Sequence, residues 1–434
     1  MTQKKVHITT VGCPKNQVDS EVLAAKLKAN GYALSDTPEG ADISVVNTCG
    51  FIDAAKQESI ETILQIAEQK KTGSLKKLVV TGCLVQRYKK ELKEGLTEVD
   101  AFFGTDELTN ILGEFGAKNA GNPVDKYDLL GERVLSTPPH YAYLKISEGC
   151  DNPCSFCAIP MMRGKHVSRT ADSLVRETEM LAGKGVKELI VIGQDTTYYG
   201  LDIHGRRELP SLMKKLNEVS GIEWIRLMYA YPAKFPDELL DVMRDSDNIV
   251  KYIDIPIQHI SDRMLKSMRR GITKDRLLEL LYRIREKVPG IAIRTTLIVG
   301  YPGEGEREFE ELLQFVNEFK FDRLGAFTYS VEEGTAAAIL GDPVPQEEKE
   351  RRHAAIMEAQ RLVIAGLNEK KVGTKQVVII DRKEGDNFVG RTSYDAPEID
   401  SEVIITSKRP LEVGYFAEVV IDDSYEHDLY ATAV

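Results

Sequence analysis

A strand-like segment followed by a helix-like segment recurs along most of this chain, and this repetition limits the fold more than any other feature. Near the N-terminus the strand-like segments are VHITTVG (6–12), ISVVNT (43–48) and KLVVTG (77–82). Strands that alternate with amphipathic helices at this spacing are typical of a parallel α/β sheet. We therefore predict a parallel α/β domain over residues 1–125, ended by the Gly-, Asn- and Pro-rich stretch GAKNAGNPVD.

The same pattern continues for six more units after residue 140. The strand-like segments are YAYLKIS (from 141), ELIVIGQ (188), WIRLMYA (224), YIDIPIQ (252), IAIRTTLIVG (291) and RLGAFTYS (323). Six units are too few for the closed eight-fold barrel. We predict an open, partial (β/α)6 barrel over residues 136–370, with the charged helical stretch 346–371 packed back on it.

The segment after Gly373 has a different residue pattern. Five short strands alternate with Gly, Asp and Pro turns, which predicts a small antiparallel OB-like β-barrel over residues 371–434. This segment has seven Lys and Arg against thirteen Asp and Glu, a net charge of −6. An RNA-binding barrel is expected to be basic. We expect this domain to overhang the mouth of the central barrel and to attract a basic protein.

The overall composition excludes some classes of function. The net charge of −11 opposes non-specific binding to nucleic acid, so direct nucleic-acid binding is not expected. The sequence has no apolar run of ~18 residues and no signal-peptide pattern at its start, so we expect neither a membrane span nor export. A cytoplasmic location is therefore predicted, where clustered cysteines favour metal binding or catalysis over disulfides.

Three of the six cysteines directly follow the three N-terminal strands. We call Cys13, Cys49 and Cys83 the N-terminal triad. The carboxyl ends of parallel strands lie along one edge, where such folds bind ligands. The triad is therefore predicted to form a shared metal site. Three separately buried thiols remain the alternative, because free cysteine commonly packs as a small hydrophobe.

The other three cysteines lie in CDNPCSFC (150–157), after the first central strand. We call Cys150, Cys154 and Cys157 the motif triad. A structural zinc site takes four ligands, no second cysteine pair follows nearby, and His166 is a poor fourth candidate. A [4Fe–4S] cluster on three thiolates instead leaves one iron open for a substrate or cofactor. We favour the cluster and keep zinc as the alternative.

The motif C-x3-C-x2-C, with Phe156 before its last cysteine and a partial barrel strand before its first, resembles the radical S-adenosylmethionine (SAM) superfamily. The resemblance implies that the open iron binds SAM and that one-electron reduction gives a 5′-deoxyadenosyl radical. It also implies a reductant such as flavodoxin or ferredoxin. Further implied SAM-binding residues are Phe156, Gly193, Gln194, Asp195, Arg294, Gly300 and Gly303. Ordinary strand-end packing is the alternative for each.

The three predicted domains and both triads together resemble the radical SAM methylthiotransferases over essentially the whole chain. This resemblance implies a TRAM-like C-terminal barrel and a second [4Fe–4S] cluster on the N-terminal triad. A sulfur species held there would be methylated by one SAM and attached to a C–H carbon activated by the radical.

The family contains transfer RNA modifiers and a protein modifier. GCPKNQVDSE, GCDNPCSFCAIPMMRG and YIDIPIQHIS resemble the protein modifier, which acts on the β carbon of an aspartate in the twelfth small-subunit ribosomal protein. Modification of tRNA adenosine is the nearest alternative, and a two-cluster electron carrier is a remote one. His259, in the third stretch, either lines the cavity or is a hydrogen-bonded structural residue.

Overall fold

The computed structural model describes residues 3–71, 73, 75–116 and 133–434. Apart from Gly116, the predicted linker GAKNAGNPVD lies outside these residues. The chain divides into two compact units. The first contains Met1–Ser136, Ser147–Asp151 and Ala158–Ser173, and the second contains Thr137–Ile146, Asn152–Cys157 and Leu174–Val434. Within the described ranges, no helix is both long and apolar enough to cross a membrane.

A five-stranded parallel sheet forms the body of the first unit. Its elements are β1 (Lys5–Thr10), α1 (Pro14–Ala29), β2 (Ala33–Leu34), β3 (Ile43–Thr48), α2 (Asp53–Lys71), β4 (Lys77–Gly82), α3 (Cys83–Gly95), β5 (Ala101–Phe103) and α4 (Leu108–Glu114). The strand order is β2-β1-β3-β4-β5. The predicted parallel α/β domain is confirmed, but β2 and β5 were missed because strands of two and three residues are too short to show a pattern.

Helices cover both faces of this sheet. On one face Val46 and Val80 pack with Ile63 of α2 and with residues of α3. On the other face Val45 and Val79 pack with residues of α1 and α4. Helices on both faces explain why β3 is buried at every position, including its polar residues Ser44, Asn47 and Thr48.

The middle of the chain continues the alternation of strands and helices. Its elements are β6 (Tyr141–Lys145), β7 (Ser147–Glu148), α5 (Ile159–Arg163), β8 (Val167–Ser168), α6 (Ala171–Gly183), β9 (Glu188–Ile192), α7 (Leu201–His204), α8 (Leu209–Asn217), β10 (Trp224–Leu227), α9 (Glu238–Asp245), β11 (Ile249–Asp254), α10 (Asp262–Ser267), α11 (Lys274–Lys287), β12 (Ala292–Val299), α12 (Glu306–Phe319), β13 (Arg323–Thr328) and α13 (Gln346–Glu369). The short elements β7, α5 and β8 belong to the first unit.

Six of these strands form the central sheet of the second unit. The order is β13-β12-β11-β10-β9-β6, all neighbours are parallel, and the sheet stays open. The six predicted strands of the partial barrel are confirmed. Helix α13 packs against this sheet, as predicted: Gln360 donates to the Phe321 carbonyl at 3.0 Å and the His353 ring contacts the Ala326 carbonyl at 3.0 Å.

The C-terminal segment closes into a small barrel. Its strands are β14 (Lys375–Glu384), β15 (Asn387–Thr392), β16 (Val403–Thr406), β17 (Phe416–Tyr425) and β18 (Asp428–Ala433), in the order β14-β15-β16-β18-β17. The predicted five strands are confirmed, with one correction: β16 and β18 pair in parallel. Register shifts after Ile380 and Ile421 bend the two longest strands, which helps the barrel to close.

This C-terminal barrel contacts the amino ends of the central strands. The contacting pairs are His140–Asp381, Glu188–Arg391, Trp224–Phe416 and Arg323–Asp395. Residues 152–157 and Asp195 instead follow the carboxyl ends of β6 and β9. The prediction that this domain overhangs the mouth at the carboxyl edge is therefore wrong, because its contacts lie at the opposite edge of the sheet.

Much of the charge at this contact is buried. Glu188 has no exposed surface, and it pairs with Arg226 at 2.7 Å and with Arg391 at 2.8 Å. Burial raises the pKa of Glu188, but the two guanidiniums outweigh this effect and hold that pKa below its usual range. Asp395 is likewise buried against Arg323. Among the charges counted in residues 371–434, the negative charge of Asp395 and the positive charge of Arg391 are thus neutralised inside the protein and cannot steer a partner.

Candidate functional site

The loops that carry the N-terminal triad lie against one another. Cys13 lies three residues after the end of β1, Cys49 directly follows β3, and Cys83 directly follows β4 as the first residue of α3. These three strands are neighbours in the sheet. A side chain at Gly12, where φ is +100°, would place its Cβ 2.6 Å from the Cβ of Cys49. One at Gly50 would lie 3.0 Å from the carbonyl carbon of Cys83. The glycines therefore allow a close approach that any larger residue would prevent.

The electrostatic surroundings differ among the three thiols. Burial raises the pKa of Cys13, but the charges of Lys15 and Arg163 outweigh it, so this pKa lies below its ordinary value. Burial raises the pKa of Cys49 to about 12 and also raises that of Cys83. Metals bind thiolates, so a metal centre here would have to displace protons from the last two.

A buried cation stands beside this triad. Arg163 donates to Asp19 at 2.6 Å and to Glu148 at 3.0 Å, and its other terminal nitrogen donates to Asn16. The Asn16 side-chain oxygen also accepts from the Cys83 thiol at 3.7 Å. Sequence reasoning missed both Arg163 and Asn16. They lie in motifs quoted above, but no linear pattern indicates that residues 147 apart meet.

The donor set of the N-terminal triad, three thiols beside the buried Arg163, is compatible with an iron–sulfur cluster. In the described part of the chain, no three His, Cys, Asp or Glu side chains converge at the spacing of one metal ion. Ligands of one zinc ion all lie within ~2.3 Å of it. In a cubane each thiolate binds a different iron, so wider spacing is needed. Three clustered cysteines around a buried guanidinium suit an anionic cluster.

The motif triad is held by short-range contacts. The Cys150 amide donates to the Gly164 carbonyl at 3.1 Å, within the first unit. In the second unit, the Cys157 amide donates to the Cys154 carbonyl at 3.2 Å, which closes a tight turn. The thiols of Cys154 and Cys157 are partly exposed and thus accessible to a ligand.

Arg270 donates to the thiol sulfur of Cys154 at 3.1 Å. This arginine is 4% exposed, stacks on the Tyr231 ring at 4.3 Å and also donates to the Pro256 carbonyl at 2.5 Å. The Tyr231 hydroxyl lies 3.5 Å from the same sulfur. Sequence reasoning missed this pair too. The arrangement presents a fixed positive charge to a predicted cluster ligand.

We call residues 150–157 the cysteine loop; its middle belongs to the second unit and is fixed there by hydrogen bonds. Ser155 donates its amide to the Met268 carbonyl at 3.1 Å and its hydroxyl to the Ser267 carbonyl at 2.9 Å. Phe156 packs against a buried cluster that includes Tyr301 and Tyr329. The aromatic residue predicted as a SAM contact therefore also fixes the loop, which supports the packing alternative as much as the contact.

The segment Gly193-Gln194-Asp195 lies directly after β9, at the carboxyl edge. Asp195 is buried and accepts from the Thr197 amide at 2.9 Å and from the Asn152 side chain at 2.8 Å. The carboxylate is thus tied to the cysteine loop. This position is compatible with the predicted contact to the SAM amine, since a carboxylate can accept more than two hydrogen bonds.

Gly300 and Gly303 follow β12 at the same edge and adopt φ values of +73° and +90°. A side chain at Gly300 would come within 2.4 Å of the Lys349 Cγ. The Gly300 amide donates to Glu304 at 3.0 Å. Both positions therefore require glycine for backbone reasons, and the predicted approach of backbone to adenine remains a proposal.

Two other candidates have structural partners. Arg294 pairs with Asp254 at 3.0 Å and with Asp400 of the C-terminal barrel at 3.4 Å. Its charge is already matched, which speaks against the predicted role at the SAM carboxylate. His259 is fully buried, and its Nδ1 accepts from the amides of Ile260 and Ser261 at 2.9 and 3.0 Å. This agrees with the structural alternative for His259.

Three family descriptions match consecutive parts of the chain. They are Uncharacterized protein family UPF0004 at residues 5–104, the Radical SAM superfamily at 144–316 and the TRAM domain at 372–434. Among solved structures, the radical SAM methyltransferase TsrM from Kitasatospora setae has a TM-score of 0.56 at 16% identity, covering 78% of this chain and 75% of that chain. The cobalamin-dependent radical enzyme OxsB has a TM-score of 0.53 at 13% identity, covering 82% and 56%. These likenesses show the fold alone.

Curated relatives match over nearly the full length. Ribosomal protein uS12 methylthiotransferase RimO of Cytophaga hutchinsonii is 53% identical over 99% of this chain and 98% of its own. The protein of the same description from Chloroherpeton thalassium is 50% identical over 100% and 99%. Identity at this level and coverage shows the family. The chain belongs to the radical SAM methylthiotransferases, together with these ribosomal protein uS12 methylthiotransferases.

Proposed function

We propose that this enzyme inserts a methylthio group at the β carbon of an aspartate in ribosomal protein uS12. The observation that carries the proposal is the N-terminal triad, whose three loops meet at one sheet edge, in a chain that also has the motif triad. The relatives at about 50% identity carry the uS12 substrate in their descriptions. The net charge of −11 would repel the phosphates of tRNA and therefore argues against tRNA as the substrate.

Each triad would hold one [4Fe–4S] cluster through three thiolates. The motif triad with SAM would supply the 5′-deoxyadenosyl radical, and the N-terminal triad would hold the sulfur to be transferred. We propose that the division into residues 1–125, 136–370 and 371–434 follows these roles, with the last as a TRAM barrel. The matched family ranges fall inside these three segments.

The polar side chains around the triads would serve binding and charge balance. Arg163 would offset the negative charge of a cluster on the N-terminal triad, because it is buried beside these thiols. Arg270 would do the same at Cys154, where it already donates to the sulfur. Asp195 would accept from the SAM ammonium, a charge-assisted hydrogen bond. This charge pairing would place the methionine moiety of SAM next to the cysteine loop.

The cellular location, the reductant and the surface that meets the substrate protein are predictions. We expect a cytoplasmic enzyme and a reductant such as flavodoxin or ferredoxin. The exposed acids of the C-terminal barrel, including Asp422, Asp423 and Glu426, would suit a basic protein surface. Because this barrel contacts the amino ends of the central strands, it would reach only parts of the substrate distant from the carboxyl edge.

Mass spectrometry of a defined reaction tests the proposal. Anaerobically reconstituted enzyme, SAM, a sulfide source, dithionite and purified uS12 should give uS12 in which one methylthio group replaces one aspartate hydrogen. The fragment spectra should place the group on a single aspartate. Unmodified uS12 together with methylthiolated tRNA, in a parallel reaction with bulk tRNA, would overturn the assignment.

A further inference from the structure

The turn after α10 carries two adjacent arginines in different surroundings. Arg270 is buried and donates to Cys154 at 3.1 Å, whereas Arg269 is exposed. Arg269 adopts a φ of +55°, which is uncommon for a residue with a side chain. Such conformations often persist at functional sites. The left-handed turn sets an exposed cation one residue away from the arginine that contacts a motif-triad sulfur.

An open groove of about 890 Å³ borders this turn and includes Pro153 of the cysteine loop in its wall. Three further lining residues are Lys234, Lys266 and Arg269. Within the described residues their side chains make no ion pair or hydrogen bond, and all three are exposed. Lys234 also adopts a positive φ, of +57°. The groove thus presents uncompensated positive charge beside the cysteine loop.

The acids of the groove do not cancel this charge. The lining contains five Lys or Arg residues and three Asp or Glu residues, a surplus of two positive charges. The acids already have donors: Asp237 pairs with Arg283, Glu279 pairs with Arg276, and Asp262 accepts from the Lys274 amide. The local charge of this surface is therefore opposite in sign to the net charge of the whole chain, −11. It would repel a basic substrate and attract an acidic partner.

Apolar surface lies next to these cations. A second opening of about 430 Å³ is lined by Ser155 of the cysteine loop, by Lys266 and Arg269, and by Ile339 and Leu340. Ile339 is 88% exposed and Leu340 is 47% exposed. Apolar groups rimmed by charge are typical of protein–protein contact surfaces. The combination fits a protein partner better than a small anion.

We propose that this surface docks an acidic electron-carrier protein that reduces the motif-triad centre. We call the combined surface of the two openings the basic groove. It is formed by Lys234, Lys266, Arg269, Ile339 and Leu340. The inference rests on the proposed function, which requires a one-electron reduction at this centre. One electron leaves the reduced carrier, whose flavin passes from hydroquinone to semiquinone, and enters the cluster, which passes from the 2+ to the 1+ state. No bond within this chain forms or breaks.

Stopped-flow reduction of the reconstituted full-length enzyme tests the proposal, with flavodoxin hydroquinone as the probe. The variant Lys266→Glu/Arg269→Gln changes the groove charge by −3. Lys214→Glu/Lys215→Gln makes the same change at exposed lysines of α8, away from the groove. We expect the groove variant to be reduced about tenfold more slowly at low salt, and the wild-type rate to fall as salt rises. The α8 variant should match the wild type.

Dithionite separates failure of this proposal from failure of the proposed function. All three proteins should form 5′-deoxyadenosine at equal rates with dithionite, since a small reductant needs no docking. Equal flavodoxin rates in the groove variant and the wild type would overturn the docking surface and leave the function intact. Loss of RNA binding in the groove variant without any change in flavodoxin rate would instead assign the groove to nucleic acid. No cleavage by any protein with dithionite would refute the function itself.

Discussion

Replacing Arg270 by Met should lower the reduction potential of the motif-triad cluster. The guanidinium donates to the Cys154 sulfur at 3.1 Å, and the side chain is only 4% exposed. Reduction adds a negative charge, so a positive donor at the sulfur stabilises the reduced state more than the oxidised state. A hydrogen bond from a charged donor contributes about 1.5–3 kcal/mol. At about 59 mV per ~1.4 kcal/mol for one electron, the fall should not exceed roughly 130 mV, and we expect several tens of mV.

The assay is a redox titration of the reduced cluster's EPR signal, in a background that lacks the N-terminal triad so that only one cluster contributes. Arg270→Lys keeps the charge but not the forked geometry, and should give a smaller shift. Arg269→Gln, at the exposed neighbour, is the matched control and should leave the potential unchanged. A wild-type potential in Arg270→Met, with the cluster fully loaded, would refute the reasoning.

Three further outcomes are expected. Asp395→Ala should lower the free energy of unfolding in urea by about 3–5 kcal/mol, because it leaves Arg323 buried and unpaired. Glu412→Ala, at an exposed site, is the control and should lower it little. Equal losses of stability in the two variants would contradict the buried pair. Deleting residues 371–434 should lower the melting temperature of the remaining protein, and an unchanged melt would show that the contact is dispensable. Replacing the whole N-terminal triad by Ala should preserve reductive SAM cleavage but abolish methylthio transfer to uS12, and loss of both would indicate a folding role.

The repeated units could be predicted because the periodic pattern that favours each strand or helix is local. All six central strands and all five C-terminal strands were found in this way. The convergence of the N-terminal triad could also be predicted, since parallel strands share one carboxyl edge. The very short strands β2 and β5 and the parallel pairing of β16 with β18 could not, because neither has a periodic signature.

The missed features depend on contacts between distant parts of the chain. Arg163 reaches Asn16 across 147 positions, and Arg270 reaches Cys154 across 116. The placement of the C-terminal barrel depends on pairs such as Glu188 with Arg391, which composition counts as surface charge. Net charge predicts a field only when the charges are exposed, and here several are buried. Sequence therefore predicted where the cysteines lie relative to the strands but not the cations beside them.

Iron and sulfide counting on reconstituted triad variants tests the central claim that this chain holds two separate clusters. The wild type should bind about eight irons, and Ala replacement of either triad should leave about four. The motif-triad variant should also produce no 5′-deoxyadenosine from SAM with dithionite. About four irons in the wild type, or SAM cleavage by the motif-triad variant, would contradict the account.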